Sequence, residues 1–256
     1  MSRKLLGAVA PVLVLVLASP ALATDFDGDG REDIAFHRPN SAATTVPTLL
    51  SNGNGSWRAQ TAAAPSWASQ PGVVAVVGDY NGDRRSDVAF YRPGSNWNTV
   101  PVLLANGAGE WTAYNSSAPA WANQPGVVAV AGDYNNDGRT DLAFLRPGGG
   151  WQSVPILRAN GAGAWTAYNS SAPSWAAEPG VVGVAGDFNG DRYADIAFHR
   201  PGGGWQSVSV LLGDGNGTWT ARVSPTQDWA NQPGVIAIPG DYNGDGKTDL
   251  AFHRPD

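Results

Sequence analysis

Short apolar runs alternate with polar loops along the whole chain, and no window keeps the apolar spacing of an amphipathic helix. Between residues 72 and 114, the valine-rich run GVVAVVGD precedes an acidic loop, and DVAFYRP follows that loop. WNTVPVLLANGAGEWTAY then reads as two strands joined by the turn NGAG. The pattern predicts four antiparallel strands, the first of them buried on both faces because its apolar run is continuous. Pro101 has no N–H to pair, which predicts an irregular third strand.

The same pattern returns every 54 residues, with acidic loops that begin at Asp25, Asp79, Asp133, Asp187 and Asp241. All eleven tryptophans fall into three columns with this spacing. A single four-stranded unit cannot hide its own faces, whereas stacked units of this length are typical of a β-propeller. We therefore predict an all-β protein, a β-propeller of 54-residue four-stranded antiparallel blades, with four to five blades in this chain. A β-solenoid is the alternative, but its strands are parallel, whereas NGAG-type turns indicate antiparallel hairpins.

The number of blades is left open by the ends of the repeat array. There are five acidic loops but only four copies of the third and fourth strands. The terminal strands could complete one shared blade, the chain could be a fragment, or self-association with another copy could complete the ring.

The N-terminus has the features of a secretory signal peptide. Arg3 and Lys4 are followed by the apolar run Leu5 to Ser19 and by the small-residue cleavage site ALA. This run is shorter than the ~20 residues of a membrane-spanning helix, and no other segment approaches that length. We expect a signal peptide over 1–23 and a secreted, extracellular repeat domain over 24–256, with no membrane span after signal cleavage.

Composition narrows the partners of the exported domain. Without Arg3 and Lys4 the formal net charge is −8, which argues against nucleic acid as a partner because phosphates repel an acidic surface. There is no cysteine, so disulfides cannot restrict the unfolded chain as they do in many exported domains. Another kind of cross-link is therefore expected.

The acidic loops supply candidate metal ligands at positions 1, 3, 5 and 9 of each loop. These residues are Asp25, Asp27, Asp29 and Asp33; Asp79, Asn81, Asp83 and Asp87; Asp133, Asn135, Asp137 and Asp141; Asp187, Asn189, Asp191 and Asp195; and Asp241, Asn243, Asp245 and Asp249. Alternate side chains of a curled loop converge on one point, and oxygen-only ligands select a hard cation. Backbone carbonyls at position 7 would extend each set toward the 6 to 8 ligands that Ca²⁺ accepts. Those residues are Arg31, Arg85, Arg139, Tyr193 and Lys247.

Calcium is therefore the expected cofactor, about one ion per acidic loop and up to five in all. An EF-hand is excluded, because it needs flanking helices and a glutamate at position 12, where this chain has phenylalanine in a predicted strand. Solvated Asp-Gly turns are the competing interpretation. They would explain one loop, but not the same oxygen-bearing positions in five loops.

The stretches GDYNGDRRSDVAFYRP and GDYNGDGKTDLAFHRP resemble the FG-GAP/VCBS-type repeats of secreted bacterial proteins. They are also similar to the calcium loops of integrin α-chain propellers. The resemblance covers nearly all of residues 24–256 and implies a propeller with one calcium ion in the hairpin between the first two strands of each blade. It also implies adhesion or recognition, often of carbohydrate as in a lectin. Rings of this family usually have more blades than this chain supplies.

No catalytic constellation is visible in the sequence. The carboxylates outside the loops have no partner at a recognisable spacing, and there is neither a cysteine nucleophile nor a G-x-S-x-G elbow. His37, His199 and His253 share a column with Tyr91 and Leu145, which favours packing over chemistry. The arginine column that begins at Arg38 is interpreted as a structural partner for nearby oxygens.

We therefore expect a non-catalytic recognition or adhesion module whose partner is a glycan or an extracellular protein surface. Tryptophan faces stack on sugar rings, and repeated weak sites give avidity. Two tryptophan columns lie in flexible or connecting segments and are the predicted ligand-binding residues: Trp67, Trp97, Trp121, Trp151, Trp175, Trp205 and Trp229. The Trp57 column follows a turn, where packing is favoured. The alternative function is a polysaccharide-degrading lyase or hydrolase on the same calcium-stabilised propeller.

Overall fold

A computed structural model of the chain describes the backbone of residues 13–14 and, in full, residues 24–255. The predicted signal peptide over 1–23 lies outside the described residues, apart from the short strand Leu13–Val14.

The described residues form four four-stranded sheets and one two-stranded sheet, in the order of the sequence repeats. The strands are β1 (Leu13–Val14), β2 (Ile34–His37), β3 (Thr45–Ser51), β4 (Trp57–Ala63), β5 (Val74–Gly78), β6 (Asp87–Tyr91), β7 (Val102–Ala105), β8 (Trp111–Tyr114), β9 (Val128–Gly132), β10 (Asp141–Leu145), β11 (Ser153–Ala159), β12 (Trp165–Ser171), β13 (Val182–Gly186), β14 (Asp195–His199), β15 (Ser207–Gly213), β16 (Trp219–Pro225), β17 (Ile236–Gly240) and β18 (Asp249–His253). Short 3₁₀ helices connect successive sheets at Ser66–Ser69, Ala120–Asn123, Ser174–Ala177 and Asp228–Asn231.

Within each sheet the strands follow chain order and are antiparallel. The acidic loop joins the first and second strands, and a glycine turn joins the third and fourth. This confirms the all-β class with one four-stranded antiparallel sheet per complete repeat, and it excludes the parallel solenoid. Closure of the repeats into a ring remains a prediction.

Proline shortens the ladder between the second and third strands, as the sequence predicts. In the second repeat this ladder pairs Val88 with Leu103 and Ala89 with Val102, and it stops before Pro101. The fourth repeat has Ser209 where the others have proline, and there Phe198 pairs with Ser209 as a third step. The missing N–H of proline therefore sets the length of the ladder.

The first strands lie side by side, with β5 against β9, β9 against β13 and β13 against β17. The prediction that they are buried on both faces holds for most of β5, but it is wrong for β9, β13 and β17. Val128, Val182 and Ile236 are about half exposed, at 46%, 43% and 52%. Each of these strands lies at the edge of its sheet, as β5 does, and a continuous apolar run does not fix how much of an edge strand its neighbours cover.

The fourth-strand tryptophans join neighbouring repeats. The Trp111, Trp165 and Trp219 indole N–H groups donate to the carbonyl oxygens of Val46, Val100 and Val154 in the preceding repeat, at 3.0, 2.7 and 2.9 Å. Each indole also packs edge to face against the aromatic ring at position 2 of the acidic loop in the preceding repeat. The Trp165 and Tyr80 ring centroids, for example, are 5.4 Å apart. These contacts confirm the packing role predicted for this column. Trp57 differs, since it is 47% exposed.

Replacing Trp165 by phenylalanine should destabilise the protein because the bond to the Val100 carbonyl is lost. A neutral hydrogen bond of this kind contributes about 0.5–1.5 kcal/mol to the free energy of unfolding. Trp57→Phe is the matched control, since it makes the same change in the same column at an exposed position. Urea unfolding measures both, and equal losses in the two variants would contradict the inter-repeat role of Trp165.

Candidate metal centres

The first aspartate of each loop organises the loop backbone. In the second repeat, Asp79 Oδ1 accepts the N–H groups of Gly82 and Asp83 at 2.6 and 3.2 Å, and Oδ2 accepts the N–H of Arg84 at 2.8 Å. Asp25, Asp133, Asp187 and Asp241 accept corresponding N–H groups in their own loops. The backbone therefore curls round the carboxylate of position 1.

Left-handed backbone at positions 4 and 6 makes this curl. Position 4 is glycine in four loops and Asn136 in the third, and each of these residues has a positive φ, which glycine and asparagine tolerate best. Position 6 is glycine in three loops, but Arg84 and Arg192 occupy it in the second and fourth, with φ of 68° and 75°.

The first loop brings three carboxylates together. One oxygen from each of Asp25, Asp27 and Asp29 lies within 4.8 Å of the others. The second, third and fourth loops have asparagine at position 3, and its amide donates to the carboxylate at position 5; Asn81 Nδ2, for example, lies 2.9 Å from Asp83 Oδ2. Positions 1, 3 and 5 are thus joined into one oxygen-rich group in each of these loops.

The ninth-position aspartate has a structural role that the loop pattern alone does not predict. Asp87 is fully buried, and its Oδ2 accepts the Tyr80 N–H at 2.9 Å while its Oδ1 accepts the Ala105 N–H at 2.8 Å. Asp33, Asp141 and Asp195 make the same pair of bonds in their repeats. This side chain therefore ties the acidic loop to the end of the third strand.

Burial also raises the pKa of these buried carboxyls. It raises the pKa of Asp87 and Asp141 to about 7 and that of Asp195 to about 6, and it raises the pKa of Asp33. Backbone hydrogen bonds oppose the rise, whereas the carboxylates at positions 1 and 5 of the second, third and fourth loops add to it. Mutual repulsion of this kind is what a bound cation relieves, since a cation favours the ionised form of every carboxylate near it.

At position 7 the side chain, rather than the carbonyl, has a clear partner in three loops. The guanidinium groups of Arg31, Arg85 and Arg139 pair with the carboxylates of Asp29, Asp83 and Asp137. Arg85 Nε also donates to the Ala105 carbonyl at 3.1 Å. These arginines neutralise part of the charge at position 5, so a metal ion at positions 1, 3 and 5 would share that carboxylate with an arginine.

The residues present fit a calcium ion in their chemistry. The donors are carboxylate, amide and backbone oxygens, and a carboxylate that accepts two N–H groups still has lone pairs to offer. The EF-hand remains excluded, since the described residues contain no α-helix and position 12 lies in the second strand of each repeat.

The other predicted site residues are partly packed. Trp67, Trp121, Trp175 and Trp229 each meet, edge to face, a phenylalanine of the next repeat's second strand, at 5.2–5.4 Å. Arginine lies over Trp97 and Trp151, at 6.0 and 5.9 Å from the ring. Trp205 instead donates its N–H to Glu178 at 3.1 Å.

Trp121 and Trp151 line one small cavity, of about 120 Å³, together with Ser153, Pro155 and Asn169. The structure therefore brings one member of each predicted ligand-binding column into a shared cavity between the second and third repeats.

The histidine and arginine columns behave as structural residues. His37 and His199 are buried, and burial lowers the pKa of each imidazole; His37 Nε2 lies 2.6 Å from the Ala68 carbonyl oxygen. Arg92, Arg146 and Arg200 donate through Nε to the carbonyl oxygens of Pro71, Pro125 and Pro179 at 2.7–2.9 Å. Both columns hold connecting segments against the sheets.

Fold and loop chemistry together define a repeat protein whose β-hairpins carry acidic, oxygen-rich loops. FG-GAP-like repeats match residues 25–90, 79–144, 133–198 and 187–252, which together span 25–252. The chain belongs to the FG-GAP-like repeat family, as its loop sequences suggest, and repeats of this family often bind calcium. No curated protein matches the chain. In the part of the chain that the structure describes, no helix is long and apolar enough to span a membrane.

Asp87→Asn should destabilise the metal-free protein more than Asp83→Asn does. An asparagine at 87 places an NH₂ against a backbone N–H that needs an acceptor, and an unsatisfied buried group of this kind costs about 1–3 kcal/mol. Asp83 is partly exposed, and loss of its surface ion pair with Arg85 costs about 0–1 kcal/mol.

Urea unfolding in EGTA measures both variants without any contribution from bound metal. Equal destabilisation, or a larger effect at 83, would show that the ninth position has no structural role of its own.

Proposed function

We propose that this protein is a secreted, calcium-stabilised and non-catalytic recognition module that binds glycans. The observation that carries the proposal is the convergence of Asp25, Asp27 and Asp29, in a loop type that recurs five times. The extracellular partner is a glycan or a glycan-bearing protein surface, and nucleic acid is disfavoured by the acidic net charge.

Calcium in these loops would stabilise contacts between repeats as well as within them. The main-chain carbonyl of the first loop aspartate accepts an N–H from position 8 of the next loop. Ser86, Thr140, Ala194 and Thr248 donate to Asp25, Asp79, Asp133 and Asp187 at 2.6–2.8 Å. A metal ion that holds one loop in shape therefore also fixes the acceptor for the following repeat. Such a device supplies the cross-link that a chain without cysteine lacks.

The same contacts support a propeller as the arrangement of the repeats. Neighbouring first strands touch, and the fourth-strand tryptophans Trp111, Trp165 and Trp219 each bond to the repeat before their own. Repetition of one such step about an axis generates a ring of blades. Self-association with another copy of the chain is the proposed way to complete the ring.

The cavity between Trp121 and Trp151 is the proposed sugar subsite. It combines two indole surfaces with the polar side chains of Ser153 and Asn169, which suits a ring that has apolar faces and hydroxyl edges. Related tryptophan pairs recur in the neighbouring repeats, so several weak subsites would add in avidity.

We propose that the protein is not catalytic because acids outside the acidic loops are held by structural hydrogen bonds and ion pairs. Outside the acidic loops, Glu110 pairs with Asn106, Asp214 with Thr218, and Glu178 with Arg200 and Trp205. Each of these three acids holds a turn or a connection.

Chelation with EGTA should lower the melting temperature of the purified protein, and added Ca²⁺ should restore it. The reason is linkage, since a ligand bound only by the folded state stabilises it by RT ln(1 + [Ca²⁺]/Kd). Differential scanning calorimetry gives the shift, and Mg²⁺ is the control because its strict octahedron suits these loops less well. A melting temperature that does not respond to calcium would rule out the stabilising role.

Trp151→Ala should abolish or strongly weaken the glycan signal on a calcium-containing array, because it removes one wall of the cavity. Trp57→Ala is the matched control, since it deletes an exposed indole of the same protein outside the cavity. A reducing-sugar assay then measures whether the wild-type protein cleaves a polysaccharide that carries the glycan bound on the array. Equal binding by both variants would refute the subsite, and release of sugar would refute the non-catalytic assignment.

A further inference from the structure

A larger cavity, of about 560 Å³, lies where successive acidic loops meet. Its lining comes from the loops that begin at Asp25, Asp79, Asp133 and Asp187, from the ends of β9 and β13, and from Thr248 of the fifth loop. It is separate from the tryptophan cavity. This volume falls within the range of roughly 300–1,000 Å³ that small-molecule sites occupy.

Two arginines line this cavity at a position where the fold prefers glycine. Position 6 is Gly30, Gly138 and Gly246 in the odd-numbered repeats, but Arg84 and Arg192 in the even-numbered ones. All five residues have positive φ, and a side chain with a Cβ is strained there. Strained residues at a cavity wall are typical of a functional constraint rather than of a folding requirement.

Within the described residues, neither the Arg84 nor the Arg192 guanidinium makes a hydrogen bond or an ion pair that holds the fold together. Within residues 24–255, Arg84 and Arg192 have a hydrogen bond from the backbone N–H only, to Asp79 and Asp187. Both residues are exposed. The adjacent Arg85 differs, since its guanidinium pairs with Asp83 and donates to a carbonyl oxygen. Two unpaired cations therefore face one cavity.

The acidic groups on the same wall are turned into their own loops. The carboxylate oxygens of Asp25, Asp79, Asp133 and Asp187 accept backbone N–H groups of the loop that each begins. Calcium in the loops would neutralise these carboxylates further and raise the potential of the cavity. The inference is strengthened by the proposed calcium sites but does not rest on them.

We propose that this cavity binds a small molecule carrying an oxyanion group, with Arg84 and Arg192 as the recognising residues. A guanidinium presents a fork of N–H donors that matches the paired oxygens of carboxylate and sulfate. The ligand is thus an acidic small molecule, either a carboxylate such as an acidic sugar or a sulfate ester.

The test compares the wild-type chain with the double variant Arg84→Gly and Arg192→Gly. Glycine is the residue of the odd-numbered repeats and has no strain at positive φ, so the variant should fold at least as well as the wild type. The matched control is Arg38→Gln with Arg222→Gln, which removes two exposed positive charges outside the cavity.

Sodium sulfate and sodium glucuronate are titrated separately into each protein at constant ionic strength, in calcium and in EGTA, with binding followed by calorimetry. We expect binding of at least one probe by the wild type, and an affinity loss of about tenfold or more in the glycine variant, as for loss of charge-assisted bonds. The control variant should bind like the wild type, and the melting temperature of the glycine variant should be unchanged or higher.

The pattern of probes identifies the source of the oxyanion. Binding of glucuronate alone indicates a carboxylate ligand, binding of sulfate alone indicates a sulfate ester, and binding of both indicates recognition of the shared group. No binding of either probe in either buffer overturns the proposal, as does an equal loss in the control variant. If calcium did not raise the melting temperature of the wild-type protein, the calcium role would be refuted, but the oxyanion-binding result would still stand.

Discussion

The constraint on which the rest of the structure depends is the anchoring of each acidic loop at both of its ends. The first aspartate gathers the N–H groups of the loop, and in the first four repeats the ninth aspartate reaches from a buried position to the end of the third strand. The main-chain carbonyl of the first aspartate then accepts an N–H of the next repeat's loop. One nine-residue stretch therefore closes a hairpin, braces a sheet and connects two repeats.

The electrostatics of the loops favours a cation among their carboxylates. Burial and mutual repulsion raise the pKa of Asp87 and Asp141 to about 7, so the ionised form of these carboxyls is destabilised in the folded protein. The position-7 arginines Arg85 and Arg139 offset part of the loop charge by pairing with the carboxylates at position 5. A divalent ion among positions 1, 3 and 5 would offset the remainder, and its binding free energy would add to that of folding.

Much of this structure can be predicted from the sequence, because the same local turn and strand patterns recur in every repeat and support one another. The loops, the antiparallel hairpins and the proline interruption of the third strand follow from turn and backbone chemistry that acts within a few residues. The double role of Asp87 was not predictable in this way, because Ala105 lies 18 residues away, beyond any local pattern. The exposure of Val128 was missed for a related reason, since an apolar run does not tell whether both sides of a strand are covered.

Anomalous scattering from crystals grown in calcium tests the central claim most directly, because it locates the ions themselves. The account predicts a calcium peak bounded by the oxygens of positions 1, 3 and 5 in each acidic loop, including Asp25, Asp27 and Asp29. Ordered loops without anomalous peaks at saturating calcium would contradict it, and the acidic loops would then be turns held by hydrogen bonds alone.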